Sequence, residues 1–567
     1  MTTVAEVVVR FLRARGVARV YGLVGGHVQP LWDEAARQGL NLVDVRHESA
    51  AVYMAHAESL LTGGVGVALL TAGPGLTNAT TAIANAHVSR ASVLVIAGRT
   101  PRPQSGMGAM QDLPQAAVVQ PLCRRIESIS ERHHVLPRLD ASVRAALGAD
   151  TSPGPAYVDL PTDLMREEVL AAELNEEWLG PWTPPVLCPA ESDLVDASRL
   201  IRDARRLLVI SGRGARNCGA LVERFLEASG ALYLDTAESR GIVSPSHAAC
   251  VPAMRARAMS EADVVITLGR RLDFQLAYGS PVVFAADARF IRIGRTTDEV
   301  ADNRRGAVEL KADVGPTLHA LCRLDLGDRA DRAWQRELAA ANAQRAIKLA
   351  EQIEHANDGS DGRMHPYRLI SAINRVVDDE SVLVADGGDI LSFARVGLKT
   401  TKWYLDPGPL GCIGVGVPFA NAAALAFPDH RVLALVGDGS FGFTAMELHT
   451  AVRHRTRAVY VIANNQAWNI DRHDQRRNYG RVVGVDLPGC RYDQVAKGLG
   501  AYAERIEDAA MLPAAFGRAF DHMPALLDVV VSGEPTSPDF DNGLAYVYGR
   551  HALRRWDEAE AMRTASD

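Results

Sequence analysis

Asp438 stands between two glycines in 431-RVLALVGDGS-440, and Asn464 and Asn465 close the run 458-AVYVIANN-465. A carboxylate and an amide are hard oxygen ligands that suit Mg²⁺ or Ca²⁺ rather than zinc, and so small a set needs water or a phosphate to complete the shell. The chemistry implied is a divalent cation bridging the protein to a phosphate-bearing ligand. For that, the two side chains must meet in space. Both apolar runs read as buried strands, and 444-TAMELHTAVRH-454 between them carries apolar residues at helical spacing, which makes a βαβ unit. A crossover helix makes its strands parallel, so both polar ends lie at the carboxyl edge of one sheet, where open α/β sheets bind ligands. If the strands are neighbours, their ends are only about 5 Å apart.

The same alternation runs through the chain. Strand patterns at 19-RVYGLVG-25, 42-LVDVR-46, 65-VGVALL-70, 92-SVLVIAG-98 and 155-PAYVDL-160 mark a first unit, residues 1–170. An acidic and then proline-rich stretch near 172–193 reads as a linker. Strands at 207-LLVIS-211, 232-LYLDT-236, 263-DVVITLG-269 and 289-RFIRIG-294 mark a second unit, residues 194–325. A charged helical stretch at 331–356 leads into a third unit, residues 365–533, and residues 534–567 follow as a tail, a candidate lid carrying Tyr546, Tyr548 and Arg550. The expectation is an α/β protein of three doubly wound parallel-sheet domains.

Composition excludes several classes. With 567 residues, 47% of them hydrophobic, the chain has ample material for two or three packed domains. A formal charge of -7 with both signs interspersed provides no basic stripe for nucleic acid or an anionic membrane surface. Seven scattered cysteines without CxxC pairs fit reduced thiols and no zinc site. Residues 1–17 form an amphipathic helix with Glu6 and Arg10, without a cleavage site or a run long enough to span a bilayer, so a cytoplasmic protein is expected.

The GDG tripeptide with NN at this distance resembles the signature of thiamine diphosphate enzymes, and the resemblance covers nearly the whole chain. It implies the thiamine diphosphate-binding fold, with Mg²⁺ held by Asp438, Asn465 and the Ala467 carbonyl, and the diphosphate contacted from Gly439, Ser440 and the 386-DGGDI-390 segment, Gly388 and Asp389 included. In 46-RHES-49, Glu48 matches the glutamate that hydrogen-bonds the aminopyrimidine and so promotes loss of the C2 proton. The segment 71-TAGPGLTNA-79, with Pro74 and Asn78, resembles the pyrimidine-side loop. In 409-PLGCIGVGVP-418, the Gly411 carbonyl would accept from the 4′-amino group and Ile413 would wedge the two rings into a bent shape. In this family the glutamate serves a cofactor held by the other subunit, which implies a homodimer or a dimer of dimers, a homotetramer. The middle unit carries Gly212, Gly214 and Gly219 in a loose dinucleotide-like loop, and 269-GRRLDFQ-275 where acetolactate synthases have a GARFDDR-like stretch beside FAD; FAD stays open without being favoured.

His27 follows the first strand, where benzaldehyde lyase has a catalytic histidine, and Gln111 in 109-AMQDLPQ-115 mirrors that enzyme's glutamine loop. Histidine can shuttle a proton near neutral pH, as cleavage of a hydroxy ketone requires. Asp471 matches an acid of pyruvate decarboxylase-like members, and Arg472, His473, Arg476 and Arg477 beside it would meet an acidic substrate or a CoA phosphate, or form a solvated face. The expected function is a lyase or carboligase acting on a small carbonyl substrate, a 2-hydroxy ketone or 2-oxo acid, in the manner of benzaldehyde lyase. The alternatives are an acetolactate synthase-like enzyme, a 2-hydroxyacyl-CoA lyase, or, of another class, a silent cofactor-binding homologue.

Overall fold

The structure is a computed structural model and describes residues 2–149, 151–170, 176–180, 182–327 and 332–541, with backbone alone at 539 and 541. Tyr546, Tyr548 and Arg550 of the candidate lid lie outside the described residues.

Three parallel sheets follow one another along the chain. The first holds β1 (Arg19–Gly22), β2 (Asn41–Asp44), β3 (Gly66–Leu70), β4 (Val93–Arg99), β5 (Arg125–Ser128) and β6 (Ala156–Pro161), in the order β2-β1-β3-β4-β6-β5. The second holds β7 (Leu207–Ser211), β8 (Leu232–Leu234), β9 (Val264–Leu268), β10 (Arg289–Gly294) and β11 (Val308–Lys311), in the order β8-β7-β9-β10-β11. The third holds β12 (Val382–Asp386), β13 (Trp403–Leu405), β14 (Val432–Gly437), β15 (Ala458–Asn464), β16 (Tyr502–Ile506) and β17 (Ala525–Val530), in the order β13-β12-β14-β15-β17-β16. The first and third sheets share one topology. In each, the chain leaves two adjacent strands in opposite directions, β1 and β3 in the first and β12 and β14 in the third. A crevice opens there at the carboxyl ends of the strands.

Where the sequence pattern and the fold differ, burial explains it. The strands at Arg125–Ser128, Val308–Lys311, Trp403–Leu405 and Tyr502–Ile506 go unread because all four lie at sheet edges, where strands are short or half-exposed and carry no continuous apolar run. Ala525–Val530 is fully buried and pairs with β15 and β16, and its apolar pattern alone does not separate it from a buried helix. The single helix expected at 444–454 is two pieces, Asp438–Thr444 and Glu447–His454.

The helix carrying Glu48, α1 (Glu48–Thr62), is buried on nearly every side and packs on α3 (Gly416–Ala426), numbered after α2 (Asp389–Gly397). Tyr53 and His56 meet Phe419 edge-on, with ring centroids 6.3 and 5.1 Å away. One hydrophobic cluster runs from the first sheet through these helices into the third. Each large apolar side chain so buried contributes about 1.5–3 kcal/mol, so this core fixes the two sheets to each other. Gly66 permits the closest approach: a Cβ there would lie 1.9 Å from the Ala55 carbonyl oxygen of α1. Gly66→Ala is therefore expected to lower the urea midpoint by the equivalent of about 1–3 kcal/mol, with an unchanged m-value. A midpoint equal to that of the parent would show that α1 and β3 are less tightly apposed.

Candidate functional site

At the first sheet's crevice, Glu48 opens α1 and is 7% exposed. An acid in the first turn complements the helix dipole. Its Oε2 accepts from Asn78 Nδ2 at 2.9 Å, while Oε1 faces Gly75, whose missing side chain would sit 3.8 Å away. Pro74 begins the short helix Pro74–Thr77, and Gly73 before it takes φ 59°, a left-handed conformation that glycine adopts freely. Gln111 also lies in left-handed backbone, φ 62°, and abuts Gly73, where a Cβ would come within 2.9 Å of its own.

His27 occupies the turn Gly26–Val28 just after β1. Gly98 makes room for that turn, since a Cβ there would lie 2.4 Å from the His27 carbonyl oxygen, and Thr162 Oγ1 donates to the same carbonyl at 3.3 Å. The His27 Nδ1 is buried and has no hydrogen-bond partner among the described residues. Such a nitrogen suits a bound ligand or water.

Gln115, which the sequence reading passed over, holds this half together. Its Oε1 accepts the Gly73 N–H at 2.6 Å, and its Nε2 donates to the Gly98 carbonyl at 3.0 Å and to the Tyr157 hydroxyl at 3.1 Å. One side chain thus joins the loop beside Glu48 to the strand beneath His27. A lone glutamine carries no spacing signal that would have revealed it.

At the third sheet's crevice, β14 and β15 are parallel neighbours with Gly437 opposite Ala463, so Asp438 and Asn465 leave adjacent strands. Asp438 begins α4 (Asp438–Thr444); its Oδ1 accepts the Gly439 N–H at 2.9 Å and its Oδ2 the Gln466 N–H at 2.7 Å. Asn465 Oδ1 accepts from the Ala467 N–H at 3.2 Å, across a left-handed Gln466 at φ 60°. Burial raises the Asp438 carboxyl to about 6. A nearby cation would reverse that shift, because it favours the charged form. No group of three or more His, Cys, Asp or Glu able to hold a metal occurs among the described residues. One carboxylate, one amide and one carbonyl fit a hard, water-retaining ion such as Mg²⁺ that is partly held by phosphate.

The surrounding backbone suits an anion. Gly388 is exposed and caps α2, and Ser440 lies buried in the first turn of α4, so both helices direct N–H groups toward the crevice. Gly439 must lack a side chain, since a Cβ would lie 2.4 Å from the Trp468 ring. Asp389 is buried and accepts from Asn469 Nδ2 at 2.8 Å. Gly411 is exposed at φ 70° and Ile413 is half-buried. Asp386, also missed from sequence, fixes the turn that follows: its Oδ2 accepts from the N–H groups of Gly414 at 3.0 Å and Gly416 at 2.8 Å, and burial raises it to about 7.

A second carboxylate links the two halves. Glu447 opens α5 (Glu447–His454), is 1% exposed, and accepts the backbone N–H groups of Arg46 and His47, each at 3.0 Å. Those residues immediately precede Glu48. Thr450 Oγ1 donates to it at 2.6 Å, and burial raises its carboxyl to about 7. Glu48 and Asn78 share no hydrogen bond with Asp438, Asn465 or Ala467 among the described residues. Glu48 and Asp438 thus belong to separate hydrogen-bonded groups, two candidate half-sites.

Asp471 joins neither group: it is exposed on α6 (Asn469–Tyr479), where Asn469 and His473 are the buried positions. Burial of its inner atoms and the neighbouring Asp474 raise its carboxyl. Nearby, Arg472 pairs with Asp486, and Arg477 lies 4.1 Å from the Phe540 ring centroid. In the second sheet, Gly212 and Gly214 back onto Arg270 and Gly269 at 2.7–2.8 Å, so these glycines accommodate protein backbone. Arg270 is fully buried between Glu238 and Asp273. None of this arrangement calls for a flavin.

Comparison with known proteins agrees with this geometry. Residues 2–118 match the thiamine pyrophosphate enzyme N-terminal TPP binding domain, residues 194–321 the central domain and residues 387–529 the C-terminal TPP binding domain. The chain is 32% identical over 548 residues to a probable acetolactate synthase of Mycobacterium bovis, covering 95% of this chain and 97% of that one. It is 31% identical over 541 residues to 2-hydroxyacyl-CoA lyase 2 of Bos taurus, covering 88% and 84%, and 28% identical over 563 residues to 2-hydroxyacyl-CoA lyase 1 of Mus musculus, covering 94% of each. With two crevices built alike at the carboxyl edges of matching sheets and family matches over all three sheets, this chain belongs to the thiamine diphosphate-dependent enzymes of the acetolactate synthase and 2-hydroxyacyl-CoA lyase superfamily.

Proposed function

We propose that the protein is a thiamine diphosphate-dependent lyase or carboligase that breaks or forms the carbon–carbon bond of a 2-hydroxy ketone, in the manner of benzaldehyde lyase. The observation that carries this reading is the His27 imidazole at the first crevice, with its Nδ1 buried and without a hydrogen-bond partner among the described residues. Bound thiamine diphosphate supplies a nucleophilic carbon and an electron sink. Asp438, Asn465 and the Ala467 carbonyl hold Mg²⁺, and N–H groups near Gly388, Asp389, Gly439 and Ser440 receive the diphosphate. Pro74 and Ile413 shape the space, Gly411 offers its carbonyl, and Glu48, braced by Asn78, presents its carboxyl to the aminopyrimidine. His27 takes the proton of the substrate hydroxyl and returns it, with Gln111 beside it. Asp471 would assist only if the exposed start of α6 faces the substrate.

A second reading, decarboxylation and ligation of a 2-oxo acid or cleavage of a 2-hydroxyacyl-CoA, is favoured by the names of the relatives. Both readings take a homodimer or a dimer of dimers, in which the Asp438 side of one protomer meets the Glu48 side of the other. Within one chain the two sides are joined through Glu447 and the backbone of Arg46 and His47; that no hydrogen bond among the described residues joins Glu48 or Asn78 to Asp438, Asn465 or Ala467 supports that assembly. We place the enzyme in the cytoplasm; no helix among the described residues is long and apolar enough to cross a membrane.

Glu48→Gln is expected to keep thiamine diphosphate bound by calorimetry while turnover falls at least about 100-fold, the usual scale for loss of an acid–base group. Asp438→Ala is expected to lose the cofactor itself. Full turnover by the first variant would end the role given to Glu48. Offered benzoin-type ketones, pyruvate and 2-hydroxyacyl-CoA in turn, the enzyme should cleave the ketone, and His27→Ala should lose that activity without weakening the cofactor; activity on pyruvate alone would favour the second reading.

Glu447 acts on the site through backbone and leaves a signature in stability. Its carboxyl is raised from about 4.5 to about 7 in the folded chain, so the folded state holds a proton that the unfolded chain has lost between those values. Its contribution is present below about 4.5 and is lost as pH rises through about 7. In the cofactor-free protein, Glu447→Gln should therefore reduce the loss of unfolding free energy between pH 5 and 8 by about 1–3 kcal/mol. Urea titrations that show parallel pH profiles for variant and parent would refute it.

A further inference from the structure

At the junction of the three sheets lies a cavity of about 30 Å³, lined among others by His56 of α1, Ser89, Arg213 and Arg216 of the loop after β7, and Asp406. About 10–15 Å³ accommodates one water-sized body, so the space takes two or so.

Its walls carry two guanidinium groups, Arg213 and Arg216, and two carboxylates, Glu238 and Asp406. Arg216 donates to three backbone carbonyls, those of Glu238 at 2.7 Å, Leu60 at 3.2 Å and Tyr404 at 3.3 Å. The carboxylates within reach are already paired: Glu238 with Arg90 and Arg270, Glu299 with Arg90, and Asp406 with Arg395. Arg213 is half-buried, and its Nη1 is closed off from solvent and has no hydrogen-bond partner among the described residues. His56 is 1% exposed and both its ring nitrogens are unpartnered, as is Ser89 Oγ. Burial and the two arginines lower the His56 imidazole to about 3, so it is neutral and offers one N–H and one lone pair. Burial and the nearby Arg90 lower the Arg213 guanidinium to about 9.

Unpaired buried charge is strongly unfavourable, and so is a cluster of unpartnered donors. Water would satisfy the imidazole and the hydroxyl, whereas Arg213 feels Glu238 and Glu299 without forming an ion pair with either among the described residues, because both carboxylates are hydrogen-bonded to other arginines. We propose that this cavity binds one compact inorganic monoanion, with chloride as the abundant example, through Arg213 Nη1, a His56 N–H and the Ser89 hydroxyl. His56 lies two turns beyond Glu48 on the same helix, and Asp406 precedes the turn that carries Gly411. The anion thus ties both half-sites to the central sheet.

The test uses the full chain loaded with thiamine diphosphate and Mg²⁺, with bromide as the probe. Crystals grown in bromide should show an anomalous peak within hydrogen-bonding distance of Arg213 Nη1 and His56. In solution at constant ionic strength, replacing gluconate by chloride should raise the thermal midpoint by a few degrees in a saturable way. Arg213→Met should abolish that response and Arg213→Lys retain part of it. Density that fits water without anomalous signal would overturn the proposal, as would a midpoint indifferent to chloride in the parent protein. The crystallographic arm stands on the parent chain alone, so a poorly folded variant does not remove the test.

Discussion

Parallel strands end their polar residues at one edge of a sheet, and a ligand can lie between two of them only where the chain departs to opposite sides. This protein meets that constraint twice, in the first and third sheets, with the same strand order. The loops that flank each crevice descend from it: His27 and the Gly73–Pro74 loop at one switch point, and Gly388 and Asp438 at the other. The central sheet has a related order with one strand fewer, and at its equivalent edge the glycines are closed by backbone.

Burial gives these edges their chemistry. Asp386, Asp438 and Glu447 are all buried carboxyls pushed toward neutrality, each held by backbone N–H groups and none by an ion pair. Their tasks differ. Asp386 pins the Gly414–Gly416 turn, Asp438 ties the start of its helix to the Gln466 backbone, and Glu447 anchors the residues just before Glu48. The same low-dielectric interior draws Arg90, Arg270 and Arg292 into ion pairs with Glu299, Glu238 and Asp302. Such pairs add little net stability but are strongly destabilising to break, which makes the junction between sheets specific in geometry.

Much of the site was legible because strand-ending motifs keep their meaning wherever the strand lies. A GDG turn, an NN pair and an acid opening a helix are local patterns, and parallel topology makes neighbours of the first two. Gln115, Asp386 and Glu447 carried no such pattern. Each works through backbone hydrogen bonds to a segment distant in sequence, so its residue type alone says nothing. Asp471 shows the reverse: a position matched by motif whose side chain the fold turns outward.

The sequence by itself determined the α/β class, the three successive sheets, the central strands other than Ala525–Val530 and the residues at their carboxyl ends, because hydrophobic period and glycine turns are properties of contiguous residues. Four of the six edge strands of these sheets escaped because short or half-exposed segments lack that period, whereas Asn41–Asp44 and Leu232–Leu234 were legible. Only the tertiary structure decided that the first and third sheets share a core, that Glu447 braces the helix start carrying Glu48, and that Arg213 and Arg216 converge with His56 on one cavity. Those are contacts between residues hundreds of positions apart, and no local pattern encodes them.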